Sequence, residues 1–374
     1  MIFCSECFSD VEIKARINSV GIRGICPICG SQSKLFDTGN SDNADTYCEL
    51  ASMFEELIDI YEPAKSLPDD FPKANPQRLS YELVEHWNIF NRDIFRDKLD
   101  KVHDILTNIC KDAYRLKPEL FDSPVGIPQI IDKDYLKEHS LLKECAWNEF
   151  VDELKTKNRF HTNKVNLGIL ERQCSFARKT YKSGVYFYRS RLSPTNEGFK
   201  PNEMGAPPKE SVRPGRANPE GVRCLYLADH LETAIHEIRA GIHDYVSVGK
   251  FKLKHDAVVV DLRSLGEIHP FAVEGMDFVE YAVNREHLKK IGSEIGRPQR
   301  RGDSVLDYIA TQYISDFIKS IQDNGTHTYS GLVYKSTLYP KGHNVAFFYE
   351  DLLKCTKVET YEIKELNYLK ELVK

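Results

Sequence analysis

The amino terminus carries two pairs of cysteines with the spacing of a metal site. The pairs are Cys4-x2-Cys7 and Cys26-x2-Cys29, and 18 residues separate them. Two such pairs present four thiolates to one tetrahedral ion, which is the arrangement of a structural zinc ribbon. A redox-active pair or a disulfide is the competing interpretation, but duplication of the pair in a chain without secretory features favours Zn²⁺. We therefore predict a zinc ribbon over residues 1–38.

The rest of the chain has the composition of a water-soluble, multi-domain protein. Its 374 residues are enough for two or three domains. Its apolar fraction is 41%, and no apolar run approaches the ~20 residues that cross a bilayer. The first ten residues lack the basic and apolar regions of a secretory signal. We expect a cytoplasmic protein with no membrane partner.

The charge distribution argues against a general nucleic-acid-binding protein and for a local anion site. The net charge is −5 and the pI is about 6.2, so the overall field repels nucleic acid. Between Lys182 and Arg223, however, eight basic residues accompany four acidic ones. This local excess indicates a pocket for an anion within an acidic protein.

Residues 39–165 have the periodicity of helices. Apolar residues at helical spacing predict helices over 48–61, 80–90, 97–114 and 134–157. Four prolines between residues 62 and 77 predict a linker. The sequence therefore predicts an α-helical domain over 39–165.

The pattern changes at about residue 182, where short β-branched and aromatic runs begin. A longer amphipathic stretch predicts a helix over 304–321, with Asp303 or Ser304 as its N-cap and Asn324-Gly325 as its stop. Residues 166–374 are therefore predicted to form a mixed α/β or α+β domain. The predicted strands cover 184–189, 222–228, 246–253, 257–262, 331–336 and 344–349.

Glu237 is the carboxylate that stands out in this domain. A capping box, Asp229-x-x-Glu232, predicts the start of its helix. Glu237 then lies at the edge of the buried stripe, between the small residues Ala234 and Gly241, which leave open space beside it. A solvated glutamate on a surface helix is the alternative.

Two arginines and a serine complete the set of candidate residues. Arg189 is predicted at the end of a strand, pointing inward, where a permanent cation needs an anionic partner. Arg216 lies in a turn rich in Pro and Gly, which suits bidentate binding of a phosphate. Structural salt bridges are an equal alternative for both arginines. Ser336 follows a strand, and without a GxSxG elbow we do not interpret it as an acyl-transfer nucleophile.

Taken together and in order, these short motifs resemble the RES domain family. The resemblance covers roughly residues 180 to 350. The helical region, with EHWNIF from Glu85 and WNEFVDELKTKNRF from Trp147, similarly resembles the HEPN/RES amino-terminal domain. The motifs that carry the RES resemblance are Tyr188-Arg189, Gly215-Arg216, Leu225-Tyr226-Leu227, His236-Glu237, Lys335-Ser336 and Gly342-x-Asn344.

The resemblance implies an α+β domain with a mixed sheet, similar to ADP-ribosyltransferase toxins, over residues 166–374. It also implies that the substrate is NAD+, degraded by a glycohydrolase or phosphorylase that is often the toxin of a toxin–antitoxin pair. An antitoxin or regulatory protein and a second copy of the chain are the partners left open. Arg189, Arg216, Tyr226, Glu237 and Ser336 would line the NAD+ site, with Arg189, Glu237 and Ser336 catalytic.

The residue types suit this chemistry. Two arginines match the two phosphates of NAD+, and a carboxylate such as Glu237 stabilises the oxocarbenium character of a breaking glycosidic bond. Tyr226 is suited to pack against a ring, and Ser336 to bind a ribose hydroxyl or the nucleophile. The turn at 214–217 reads Pro-Gly-Arg-Ala where many RES domains have Gly-Gly-Arg-Trp, so one packing surface is missing. Lys335-Ser336 likewise replaces a Pro-Ser pair.

Other classes of function remain open. ADP-ribosyl transfer differs from NAD+ degradation only in the acceptor. A non-enzymatic adaptor or nucleic-acid-binding protein is a second alternative, although residues 1–37 carry four basic and four acidic residues and lack the charge excess of a DNA reader. A ribonuclease pair, Arg96-x6-His103, is a third, and a solvated helix face explains it better.

Overall fold

The computed structural model describes residues 1–72, 76–143, 145–298 and 304–366. The chain forms two compact units. Unit 1 contains residues 1–144 and 267–286, and unit 2 contains residues 145–266 and 287–374. None of the described helices is both long and apolar enough to cross a lipid bilayer. The domain boundaries placed at 38/39 and 165/166 stay predictions.

Unit 1 begins with a small antiparallel sheet and a helix. The strand order is β1-β3-β2, so β3 is central. Helix α1 lies in the chain between the two cysteine pairs, and the Asp10 carboxylate caps it by accepting hydrogen bonds from the backbone N–H groups of Glu12 and Ile13. The elements are β1 (Ile2–Cys4), α1 (Val11–Val20), β2 (Ile22–Ile25) and β3 (Gln32–Asp37).

Helices make up most of the remainder of unit 1, as the apolar spacing predicts. Their packing buries an aromatic cluster, in which Phe8 contacts Phe90 at 4.9 Å and Phe90 contacts Phe95 at 5.9 Å between ring centroids. The elements are α2 (Ala44–Ile58), β4 (Glu62–Pro63), α3 (Leu79–Tyr81), α4 (Arg92–Phe95), α5 (Leu99–Ile109), α6 (Lys111–Leu116), α7 (Pro118–Asp122), β5 (Val125–Gly126) and α8 (Lys133–His139).

Three predicted helices are wrong in extent. The stretch 80–90 has one turn of α3 and then a π-helical turn, Glu82–His86. The stretch 97–114 breaks at Cys110, where ψ is 48°. The stretch 134–157 is two helices, because the chain leaves the helix at Ser140 and the backbone N–H of Leu141 donates instead to Asn284 Oδ1, at 2.5 Å. A tertiary partner has replaced a helical hydrogen bond.

Unit 2 is built on a large mixed sheet. Within the described residues it has eight strands in the order β15-β9-β7-β8-β14-β13-β10-β6. Neighbours are antiparallel except β10 and β13, which are parallel. The strands are β6 (Arg178–Tyr181), β7 (Tyr186–Ser193), β8 (Leu225–Ala228), β9 (Tyr245–Leu253), β10 (Ala257–Asp261), β13 (Gly331–Lys335), β14 (His343–Phe347) and β15 (Leu353–Glu362).

The helices of unit 2 differ from the predicted ones near residue 304. Ser304 is the N-cap of a 3₁₀ turn, Val305–Tyr308, and the α-helix begins only afterwards. Asn324-Gly325 does not stop this helix but forms the turn of a hairpin, β11 (Gln322–Asp323) and β12 (Thr326–His327). Asp303 lies outside the described residues. The helices are α9 (Trp147–Thr156), α10 (Leu167–Phe176), α11 (Leu231–Glu237), α13 (Ile309–Ser320) and α12 (Phe278–Gly296), of which residues 278–286 belong to unit 1.

The core of unit 2 explains why the sheet forms. Alternate residues of several strands are fully buried, which is the pattern expected of strands that cover a core on one face. All six predicted strands are present within a few residues, and the α+β fold class is confirmed. The central buried side chains include Phe187, Leu225, Leu227, Phe251, Val259, Val333, Val345 and Phe347.

Candidate functional site

A cavity of about 460 Å³ opens in unit 2 beside strands β7, β8 and β14. This volume is within the range of small-molecule sites, roughly 300 to 1,000 Å³. Four of the five predicted site residues line it, namely Arg189, Arg216, Tyr226 and Glu237. They come from β7, from the loop before β8, from β8 and from α11. The positions of these residues in the sequence do not say how far apart they lie. The fold brings all four to the same cavity.

Glu237 is the last residue of α11, because the chain turns away at Ile238 and Arg239 has a φ of 51°. Gly241 is therefore not a helical neighbour of Glu237. The predicted capping box is also wrong. His230 is the N-cap and makes no side-chain cap, while the Asp229 side chain accepts hydrogen bonds elsewhere.

Two hydrogen bonds hold the Glu237 carboxylate. Ser336 Oγ donates to Oε1 at 2.7 Å, and Asn344 Nδ2 donates to the same oxygen at 2.8 Å. The Ser336 hydroxyl also accepts a hydrogen bond from the backbone N–H of Tyr339, at 3.1 Å. Ser336 is buried and lies behind the carboxylate, not among the residues that line the cavity. Both of these hydrogen bonds use Oε1.

Arg189 lies in the middle of β7, not at a strand end, because the strand continues to Ser193 and pairs with β9 along its length. Its Nη1 is buried and has no hydrogen-bond partner among the described residues. Burial, with a contribution from Arg191, lowers the pKa of Arg189 to about 10. The guanidinium is still charged at neutral pH, and a buried donor nitrogen without a partner is costly. This is the strongest sign that the cavity takes an anion.

Arg216 is fixed in the loop that forms another wall of the cavity. Its Nη1 donates to the carbonyl of Ile295 at 2.6 Å, and its guanidinium lies over the Tyr308 ring, 6.0 Å from the centroid. Neither Arg216 nor Arg189 forms an ion pair with Glu237 among the described residues. The cavity lining contains three arginines, the third being Arg239, and one carboxylate, Glu237.

Tyr226 supports that loop through its hydroxyl. The hydroxyl donates to Asn218 Oδ1 at 2.6 Å and accepts from the backbone N–H of Ala217 at 2.9 Å. Burial raises the pKa of Tyr226 well above its usual value, so the hydroxyl keeps its proton. Tyr226 lines the cavity. The packing of its ring against a ligand stays a prediction.

Sequence reasoning missed several residues of the cavity. Tyr308, Tyr334 and Leu338 line it, and none of them was a candidate. Tyr188 and Asn344 were recognised only as parts of motifs. Tyr308 lies in the 3₁₀ turn before α13, where nothing in the local pattern marks a site. It places an aromatic ring beside Arg216.

The four cysteines of unit 1 meet in one place. The Sγ atoms of Cys4 and Cys29 are 3.4 Å apart, those of Cys7 and Cys26 are 3.7 Å apart, and all four lie within 4.8 Å of one another. A tetrahedral zinc site with Zn–S bonds of about 2.3 Å places sulfur atoms about 3.8 Å apart. The residues present therefore fit Zn²⁺, and four thiolates leave no open position for catalysis.

The environment of two of these thiols keeps them protonated when no metal is bound. Burial, and the neighbouring Cys29 and Cys26, raise the pKa of the Cys4 thiol to about 12. Burial likewise raises the pKa of Cys7. Bound zinc would deprotonate these thiols outright. Its role in this chain would be to hold β1, β2 and β3 together around the ribbon.

The prediction that the alternative ribonuclease pair lies within one helix is wrong. Arg96 is exposed just after α4, whereas His103 belongs to α5. His103 Nε2 lies 2.9 Å from Asp122 Oδ1, so a structural partner already accounts for this histidine. Ribonuclease activity in this region stays an untested alternative.

Comparison with known families places the cavity in a recognised domain. A family model described as "RES domain" matches residues 187–367. No curated protein and no solved structure matches the chain. The matched residues include the cavity, the loop at 214–218 and the strands around them. Residues 187–367 of this chain are a RES domain.

Proposed function

We propose that the chain is an enzyme that degrades NAD+ by cleaving the bond between nicotinamide and ribose. RES domains are a group of enzymes that act on NAD+. The observation that best supports the proposal is the set of charged side chains that line the cavity. Three arginines, Arg189, Arg216 and Arg239, and one carboxylate, Glu237, line about 460 Å³ of space.

The arginines are suited to the pyrophosphate of NAD+. Arg189 has a buried Nη1 with no hydrogen-bond partner among the residues that the structure describes, and the Nη1 of Arg216 is hydrogen-bonded to the protein. Two phosphate groups carry two negative charges, and guanidinium binds phosphate bidentately. Aromatic rings at Tyr226, Tyr308 and Tyr334 would pack against the nicotinamide or adenine.

Glu237 is suited to the bond that breaks. When the bond between ribose C1′ and the nicotinamide nitrogen cleaves, nicotinamide leaves with the electron pair and becomes neutral. Positive charge then develops on the ribose ring, as in glycoside hydrolysis. Glu237 Oε2 would stabilise this charge or hold a ribose hydroxyl, while Ser336 and Asn344 fix Oε1.

The acceptor decides the name of the reaction. Attack of water on C1′, with loss of one proton to solvent, gives ADP-ribose. Attack of phosphate on C1′ gives the 1-phosphate of ADP-ribose. Attack of a protein nucleophile gives an ADP-ribosylated protein. We propose degradation by a glycohydrolase or phosphorylase, with ADP-ribosyl transfer as the alternative. In a cell this activity would deplete NAD+, as expected of a toxin that an antitoxin or regulatory protein restrains.

The test is incubation of the purified chain with NAD+, with and without phosphate, and separation of the products. We expect loss of NAD+ with release of nicotinamide. Glu237→Gln should lower kcat about 100-fold and leave KM within a few fold, since the change removes charge stabilisation that is strongest in the transition state.

Glu232→Gln is the matched control, because Glu232 is an exposed glutamate on the same helix. Turnover that persists in Glu237→Gln would remove Glu237 from the mechanism. If the wild-type chain consumes no NAD+ in any condition, the enzyme proposal fails and the adaptor function is favoured.

A further inference from the structure

A second cluster of polar side chains lies beside the cavity, centred on Asp229. The side chain of Asp229 is 10% exposed. Its Oδ1 accepts hydrogen bonds from the backbone N–H of His343, at 3.0 Å, and from Thr233 Oγ1, at 3.1 Å. Its Oδ2 lies 2.7 Å from His343 Nδ1 and 2.9 Å from His230 Nδ1. A carboxylate with so many donors fixes the groups around it.

His343 extends this cluster toward β6. Its Nε2 lies 3.0 Å from the hydroxyl oxygen of Tyr181. Burial, with the positive charge of Arg263, lowers the pKa of His343 to about 4, against the opposing effect of Asp229. Lys179 and Asp261 are the other charged groups near the ring. The imidazole is therefore neutral at pH 7, donating from Nδ1 to Asp229 and accepting at Nε2 from Tyr181.

The cluster joins the two parts of the chain that fix Glu237. Asp229 begins the turn into α11, whose last residue is Glu237. His343 directly precedes Asn344, which donates to Glu237 Oε1. The backbone N–H of Asp229 also donates to the carbonyl of His343, at 3.1 Å. Helix and strand are thus tied to each other at one buried carboxylate.

The helix and the strand are packed closely at this junction. A Cβ at Gly342 would lie 2.0 Å from Thr233 Oγ1 and 3.0 Å from Asp229 Oδ1. Strand β14 and the first turn of α11 therefore cannot approach more closely, and the hydrogen bonds of Asp229 prevent them from separating. Neither Asp229 nor His343 lines the cavity. Any effect they have on a ligand is therefore indirect, through neighbours that line the cavity, among them Asn344 and Glu237.

We propose that Asp229 and His343 are positioning residues, which hold α11 and Asn344 in the geometry that presents Glu237 to the cavity. This inference rests on the proposed function for its kinetic consequence, and on the hydrogen bonds for its structural one. The two consequences are measured separately below.

The kinetic experiment uses the purified full chain and NAD+. Asp229→Asn should lower kcat about 10-fold with KM within about twofold, because the arginines that bind the ligand are untouched. His343→Asn keeps a donor in place of Nδ1 and should retain most of kcat, whereas His343→Leu should lose it as Asp229→Asn does. Asp256→Asn is the matched control, because Asp256 is an exposed aspartate that also accepts from a lysine and a backbone N–H.

The structural readout is the side-chain amide of Asn344 in protein labelled with ¹⁵N-asparagine. It is assigned by its loss in Asn344→Asp and is expected to shift in Glu237→Gln. We expect it to shift also in Asp229→Asn and His343→Leu, and to stay unchanged in His343→Asn and Asp256→Asn. Thermal unfolding checks that each variant is folded.

The outcomes separate the two proposals. An Asn344 amide that is unchanged in folded Asp229→Asn and His343→Leu overturns the positioning role, whether or not NAD+ is consumed. Wild-type kcat in both of these variants overturns it as well. A wild-type chain without NAD+ turnover, but with the expected amide shifts, defeats the proposed function and leaves the positioning role supported.

Discussion

Arg189 is held in the RES domain at a cost to stability. Its buried Nη1 has no hydrogen-bond partner in the described part of the chain, so this nitrogen loses its hydration without a compensating contact. Such a residue is explained if an anionic ligand supplies the missing partner, because active sites often keep groups that the fold alone would not favour. Function and stability should therefore respond to Arg189 in opposite directions.

We predict that Arg189→Met raises the free energy of unfolding by about 1 to 3 kcal/mol and weakens NAD+ binding at least 10-fold. Methionine fills similar space on β7 and removes the uncompensated charge. Chemical denaturation measures the first effect and calorimetric titration the second.

Arg191→Met is the control on the same strand. The Arg191 guanidinium donates to the carbonyl of Glu203 and lies over the Phe199 ring at 4.3 Å, so its removal should not stabilise the protein. A destabilised Arg189→Met variant with normal affinity would mean that Arg189 is a structural residue.

At the scale of elements, close packing and hydrogen bonds fix the loop before β8, which carries Arg216. A Cβ at Gly215 would lie 2.5 Å from the Tyr226 hydroxyl oxygen and 2.6 Å from Asn218 Oδ1. The Tyr226 hydroxyl donates a hydrogen bond to Asn218 Oδ1, and Gln312 Nε2 donates one to the Gly215 carbonyl at 2.8 Å. The loop is thus pinned from β8 and from α13, and glycine is required by close approach.

We predict that Gly215→Ala lowers affinity for NAD+ about 10-fold and the free energy of unfolding by about 1 to 2 kcal/mol. The added methyl group must displace the Tyr226 hydroxyl or move the loop, and Arg216 moves with it. Calorimetric titration and chemical denaturation are the measurements.

Gly168→Ala provides the comparison, because a Cβ there meets only Asn166 Oδ1 at an ordinary 3.5 Å. Gly168 lies within α10, so this variant should be stabilised by about 0.5 to 1 kcal/mol. Unchanged affinity and stability in Gly215→Ala would show that the loop adapts.

At the scale of the whole molecule, the metal site and the cavity belong to different units, each with buried residues of its own. A ligand stabilises the part of a protein that binds it, and a structural metal does the same. The two units should therefore respond independently to NAD+ and to loss of the metal.

We predict about one zinc ion per chain in purified protein and none in Cys26→Ser, measured by elemental analysis. Calorimetry of Cys26→Ser should show a lower transition temperature for one unfolding step, while the step that NAD+ shifts upward is preserved. Three thiolates do not complete the tetrahedral site.

Cys48→Ser is the control, since Cys48 is exposed and does not belong to the cluster of four cysteines. Full zinc content in Cys26→Ser, or loss of the NAD+-sensitive step, would contradict this account.

The sequence predicted the central strands well and the edges of the sheet poorly. Strands β7 to β10, β13 and β14 are apolar and β-branched, so their local pattern is strong. Strand β15 is an edge strand with charged residues at Lys354, Lys357 and Glu359, which protect an edge but remove the apolar signal. Strand β6 is only four residues long. Both were missed because their stability comes from pairing with neighbours.

The amino-acid sequence by itself determined the cysteine site, the class of the fold and the charged residues of the RES domain. These depend on spacing and short-range periodicity, which are local properties of a chain. Only the tertiary structure decided the partners of Glu237, since Ser336 and Asn344 lie 99 and 107 residues away. It also turned Asp229 from an expected helix cap into a link between helix and strand. Such contacts depend on strand order and register, which arise when distant segments share one core.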